Sequence, residues 1–137
     1  LLYWRGEDYL GIGPGAHGRL KKEVAGKLLG TEAIEEIKSP DKWLDAVQSK
    51  GGGTKKRNLL QFEERLEELI LCGLRTSEGL DPERFYRITG RGLFNHLHEE
   101  KLDRLIDAGF VVDSRSNLRL TENGLRCLNS VVKALLI

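Results

Sequence analysis

Gly13-Pro14-Gly15-Ala16-His17-Gly18 is the stretch whose residue types and spacing could do chemistry, because it satisfies the pattern G-x-G-x-x-G. A dinucleotide loop of that pattern needs a helix opening at the loop, so that backbone amides and the helix dipole meet a pyrophosphate, and an acidic residue ~20 positions on. The residues that follow, Arg19-Leu20-Lys21-Lys22-Glu23-Val24-Ala25-Gly26, carry no apolar helical face, and no P-loop Lys-Ser/Thr pair follows. The dinucleotide reading is therefore set aside. Two readings stay open: a tight turn at a strand end, or a backbone that approaches a ligand closely because glycine has no Cβ.

His17 is the histidine placed to act, close in sequence to Tyr3, Trp4 and Tyr9. It could ligate a metal or shuttle a proton, with a structural histidine as the alternative. His96 and His98 stand two apart on an expected helix, so they diverge and read as surface residues. Cys72 and Cys127 each sit among leucines and read as core side chains. Two thiols supply neither a cysteine triad nor a four-thiolate zinc site. No catalytic residue and no metal ligand set is assigned.

The elements that position these residues follow from composition and pattern. The chain has 137 residues, 31% charged and 39% hydrophobic, with a net charge of +1. That is the composition of a globular chain, and its charge gathers neither phosphates nor an anionic membrane surface. No apolar run approaches the ~18 residues of a membrane span, and two isolated cysteines suit a reducing, cytoplasmic setting. No methionine is present, so Leu1 is expected to be an internal residue of a longer protein.

Residues 9–13 have the content of a buried strand, stopped at the glycine loop. Weak strands are expected at 27–29 and 33–37, with turns at Gly26 and Gly30. Ser39-Pro40-Asp41 opens a helix that ends at Gly51, and Gly51-Gly52-Gly53-Thr54-Lys55-Lys56-Arg57 reads as a linker. Beyond it the spacing of Phe62, Leu66, Leu69, Ile70 and Leu74 predicts a helix over 61–76. A short helix from Pro82 to Ile88, a third over 94–108, a hairpin at 110–120 and a last helix capped by Thr121 complete the order. That order is the one a winged-helix module has. Its recognition helix would carry Glu99, Glu100, Asp103 and Asp107 against Lys101 and Arg104, with Arg115 and Arg119 on the wing. Such a face repels phosphate, so nucleic acid is not an expected partner and protein docking suits the charge better.

Residues 3–18, with Glu64-Arg65-Leu66-Glu67-Glu68, Gly73-Leu74-Arg75 and Leu120-Thr121-Glu122-Asn123-Gly124, resemble the C-terminal end of oxygen-independent coproporphyrinogen III oxidase-like proteins. The resemblance runs along essentially the whole chain and leans toward the haem-chaperone branch of that radical S-adenosylmethionine family. Tyr3-Trp4 matches the end of that branch's His-Asn-x-x-Tyr-Trp motif, whose His and Asn would precede Leu1. The resemblance implies an α+β chain: a remnant of a (β/α) radical S-adenosylmethionine barrel over 1–58, then a mainly helical, winged-helix-like domain over 59–137. It implies a parent with a [4Fe-4S] cluster, S-adenosylmethionine and, in the chaperone branch, haem. The thiolates of Cys-x3-Cys-x2-Cys are not among these residues, so this stretch is expected to hold no cofactor chemistry alone. Gly13, Gly15 and Ala16 would lie near the cofactor, and Tyr3, Trp4 and His17 near a tetrapyrrole. The implied partners are the tetrapyrrole and the upstream barrel, over whose mouth residues 61–137 would sit.

Overall fold

The computed structural model describes residues 2–114 and 116–137; Leu1 and the wing residue Arg115 lie outside the described residues. The described fold is mixed α and β, with six helices, a three-stranded sheet and a two-stranded sheet. Contacts divide it into a sheet unit, Glu7–Arg65 with Leu2, and a helical unit, Leu66–Ile137 with Tyr3–Gly6.

In the sheet unit, β1 (His17–Val24), β2 (Lys27–Glu36) and β3 (Thr54–Leu59) pair antiparallel in that order. Ala25 and Gly26 join the first two with φ of 52° and 75°. Positive φ at both central residues is what a type I′ hairpin turn requires. The sequence hid β1 because its side chains are mostly charged. Charges pair across the sheet, Glu32 with Lys22 at 3.5 Å and Arg57 at 3.4 Å and Glu35 with Lys55 at 3.6 Å, while Lys38, three positions on, meets Glu35 at 3.7 Å. The two weak strands merge into β2, and Gly30 lies within it beside a register shift, where a turn was expected.

The expected linker is also corrected. Ser39 occupies the N-cap of α1 (Pro40–Lys50) without a side-chain cap bond, and Gly51 ends the helix in the left-handed conformation. Residues 54–57 then become strand because Lys55 and Arg57 reach carboxylates on β2. Gly53 is buried against the Trp43 indole, which a Cβ would strike. The indole donates to Glu36 Oε2 at 2.9 Å, and Thr54 Oγ1 donates to Glu36 Oε1 at 2.9 Å.

The strand expected over residues 9–13 reduces to one bridge, Tyr9 with Arg19. Leu10 is 66% and Ile12 90% exposed, so no described residue covers their face. Without a second partner, and with Pro14 lacking an amide proton, the segment has no ladder to extend.

The helical unit holds the core. Its elements are α2 (Phe62–Leu74, whose first four residues belong to the sheet unit), α3 (Pro82–Thr89), a single 3-10 turn (Leu93–His96), α4 (Glu99–Asp107), β4 (Val111–Asp113), β5 (Leu118–Leu120), α5 (Glu122–Arg126) and α6 (Leu128–Leu135). Ile70, Leu74, Leu93, Val111, Leu118 and Leu135 are fully enclosed. Among the described residues Ile34 is the buried apolar side chain of the sheet unit, so the hydrophobic stabilisation is concentrated here.

Capping chemistry sets the boundaries as the sequence suggests. Asp81 accepts from the amides of Glu83 and Arg84, Pro82 opens α3, and Gly90 closes it. Gly109, with φ of 76°, lets the Phe110 amide reach the Leu105 carbonyl at 2.9 Å and its own amide reach Ile106 at 2.9 Å, a Schellman end. Thr121 accepts from the Gly124 amide.

Two long helices are corrected. The one expected over 94–108 breaks because Leu97 bridges Leu136 and the His98 amide donates to the Leu135 carbonyl at 2.8 Å. The last helix kinks at Cys127, which is exposed where a core side chain was expected; Cys72 is buried as read.

Leu74→Ala is expected to lower stability by about 2–5 kcal/mol in urea unfolding, because an enclosed leucine is removed. Asp81→Ala should cost about 1 kcal/mol in the same measurement, for two orphaned amides at a helix start. Lys55 most strongly, then Lys38 and His17, lower the Glu35 pKa below its ordinary 4.5 against the opposing effect of partial burial. A lowered folded pKa means a contribution that is present above about pH 4.5 and lost as pH falls through the folded value. Glu35→Gln is therefore expected to flatten the acid limb of the melting-temperature profile and leave the neutral limb's shape unchanged.

Candidate functional site

Gly13, Pro14, Gly15 and Ala16 form a β-turn closed by the Ala16 amide on the Gly13 carbonyl at 3.2 Å. Proline at the second position and Gly15 at the third, with φ of 71°, are the residues a type II turn asks for. The Gly15 amide donates to the Ile37 carbonyl at 2.9 Å, and the Glu36 amide to the Ala16 carbonyl at 2.8 Å. So the motif's glycines have a structural use. A Cβ on Gly18 would crowd the Tyr9 carbonyl oxygen at 3.2 Å. A Cβ on Gly11 would run into the backbone of His17. Gly13 differs: with φ of 102°, it faces open space, and a Cβ there would meet nothing within 4 Å.

His17 opens β1 and is exposed, opposite Glu35 in the ladder. Thus Gly13, Gly15, Ala16 and His17 share one turn of the sheet unit. A bare backbone face next to an imidazole can admit a planar ligand and offer it a nitrogen ligand or a proton relay.

Tyr3 and Trp4 belong to the helical unit. Their rings meet edge to face, centroids 4.8 Å apart at 83°. They keep 43% and 37% of their surface exposed, so ring area is available to a ligand. Trp4 and Arg5 line a cleft with Leu69, Leu80, Phe85 and Ile88. The structure therefore groups the six expected residues as four and two, one group in each unit.

Sequence reading missed the residues that hold the aromatic pair. Arg5 donates Nε and Nη2 to the two Glu78 oxygens at 3.0 and 2.8 Å. The hydrogen bond and charge of Arg5 hold the Glu78 carboxyl below its ordinary pKa, against partial desolvation. Gly6, buried with φ of 72°, seats the turn of residues 3–6 on Leu69 and Ile88. A glycine two residues after Trp4 was the available signal for that turn; the partner 73 positions away left none.

His96 is half-buried with its ring 6.1 Å from Phe85, so it is a packing residue more than a surface one. Among the described residues no three His, Cys, Asp or Glu side chains converge as a metal site. With Cys72 buried within α2 and Cys127 exposed at the α5/α6 kink, the thiols do not fit an iron-sulfur cluster. No described helix is long and apolar enough to cross a membrane.

Residues 60–127 match the HemN C-terminal domain. "Radical S-adenosyl methionine domain-containing protein 1, mitochondrial" of Danio rerio is 32% identical over 98% of this chain and 31% of its own length. The heme chaperone HemW of Bacillus subtilis is 31% identical over 99% of this chain and 33% of its own. This chain thus spans about a third of the curated relatives it matches. Coproporphyrinogen III oxidase (HemN) from Escherichia coli, a radical SAM enzyme, superposes with a TM-score of 0.57 at 15% identity, over 93% of this chain and 28% of that one; the likeness is one of fold. Residues 60–127 thus belong to the HemN C-terminal domain family, and the chain along nearly its whole length is similar to radical S-adenosylmethionine domain-containing proteins and heme chaperones.

Proposed function

We propose that this chain is the non-catalytic, tetrapyrrole-facing portion of a haem-handling radical S-adenosylmethionine protein, closer in role to a haem chaperone than to the oxidase. Relatives named heme chaperone align along nearly all of it. In this reading residues 1–58 join the (β/α) barrel of the parent, and residues 59–137 form a winged-helix-like domain over its mouth. The observation that carries it is the pair Leu10 and Ile12, two apart just after the Tyr9 bridge and 66% and 90% exposed. Alternate apolar side chains with no cover are what a strand presents when its sheet neighbours come from other polypeptide.

The radical chemistry belongs to the parent: its [4Fe-4S] cluster and S-adenosylmethionine generate an organic radical when bound. This chain's own residues do other work. Gly13, Gly15 and Ala16 keep a backbone face clear beside the cofactor, His17 offers its imidazole to the tetrapyrrole, and Tyr3 and Trp4 offer ring surface for stacking. The two free cysteines suit a reducing compartment such as the cytoplasm, while the Danio rerio relative is named mitochondrial. A protein-docking module is the second reading, favoured by the mixed groove beside α4, where Phe94 and Ile106 lie among Asn95, Glu99, Asp103 and Asp113.

Haem titration separates the two. A Soret shift on adding haem to this chain, reduced about tenfold in apparent affinity by His17→Ala, is the expected outcome, since the imidazole that would hold the haem would be lost. Absence of any Soret change, or a change indifferent to His17→Ala, refutes the assignment of His17 and leaves docking as the reading.

A further inference from the structure

The helical unit holds Tyr3 and Trp4 by a device that the proposed role does not require on its face. Residues 3–6 form a turn closed by the Gly6 amide on the Tyr3 carbonyl at 3.2 Å. Arg5, inside that turn, forks onto Glu78 at 2.8 and 3.0 Å. A bidentate guanidinium–carboxylate pair fixes angle as well as distance, which a single contact does not. Gly6 stands where a Cβ would strike Leu69, so the turn lies flat on α2.

Glu78 is itself held. It lies in the connection between α2 and α3, where the Thr76 hydroxyl donates to the Gly73 carbonyl at 2.9 Å and the Gly79 amide donates to that hydroxyl at 3.2 Å. Asn117, at the foot of β5, donates its side-chain amide to the Glu78 carbonyl. Leu80 and Leu118 bridge through N···O distances of 2.7 and 2.8 Å. The hairpin therefore fixes Glu78, Glu78 fixes Arg5, and Arg5 fixes the indole beside it.

We propose that Glu78 is a positioning residue: through its fork with Arg5 it sets the orientation of the Tyr3–Trp4 pair, and with it the ring surface presented to a tetrapyrrole. The last clause rests on the function proposed above; the clasp itself does not.

Trp43 is the other tryptophan, so the test uses the full chain carrying Trp43→Phe, in which Trp4 is the sole indole emitter. Glu78→Ala is expected to red-shift Trp4 emission, raise its quenching by acrylamide and lower its anisotropy, with far-UV circular dichroism unchanged. Arg5→Gln should do the same from the other partner, which keeps the test usable if Glu78→Ala does not fold. The exchanged pair Arg5→Glu with Glu78→Arg should restore the emission toward the parent value. Haem affinity should fall about two- to fivefold in either single variant, the factor that an exposed ion pair converts to. Unchanged emission in both single variants overturns the clasp. A shifted emission with unchanged haem affinity upholds the clasp and removes the aromatic pair from the haem site.

Discussion

Leu80 and Leu118 exchange both backbone hydrogen bonds across 38 positions of sequence, and much of the helical unit depends on that bridge. Both side chains are buried, at 5% and 0% exposure, so the bonds form where water cannot compete. The bridge ties the α2–α3 connection to the hairpin. It brings Asp81 to its position as the cap of α3 and Glu78 to its position opposite Arg5. It also makes Gly79 obligatory, since a Cβ there would meet Asn117 and Leu118.

The two units are stabilised by different physics. The helical unit encloses six large aliphatic side chains fully, and its amphipathic helices wrap them. The sheet unit relies on ladder hydrogen bonds and alternating charge, with Glu32 and Glu35 each between two cations. Exposed ion pairs contribute little individually, whereas apolar burial scales with area. The sheet so built leaves Leu10, Ile12, Val24, Leu29 and Leu59 exposed.

The glycine motif shows how one pattern serves two ends. Gly15 has the positive φ of a type II turn, and Gly11 and Gly18 let residues 9–11 pass close to residues 16–19. Those uses explain three glycines without a ligand. Gly13 is different because the space above it is empty, and that is where the turn and ligand readings coexist.

The sequence by itself determined what local chemistry controls. Asp81-Pro82, Gly90, Gly109 and Thr121 marked helix ends because capping depends on a few neighbouring amides. The spacing of Leu66, Ile70 and Leu74 marked a buried face because 3.6-residue periodicity is intrinsic to a helix. Motif spelling placed the chain in its family. What tertiary structure alone decided was long-range: charged β1 and β3 became strands because each found β2, the 94–108 helix broke because residues 97–98 pair with 135–136, and Trp4 joined the helical unit because Arg5 met Glu78. β1 finds its partner across a hairpin, the others rest on partners 18 or more residues away, and no local pattern encodes the identity of such a partner.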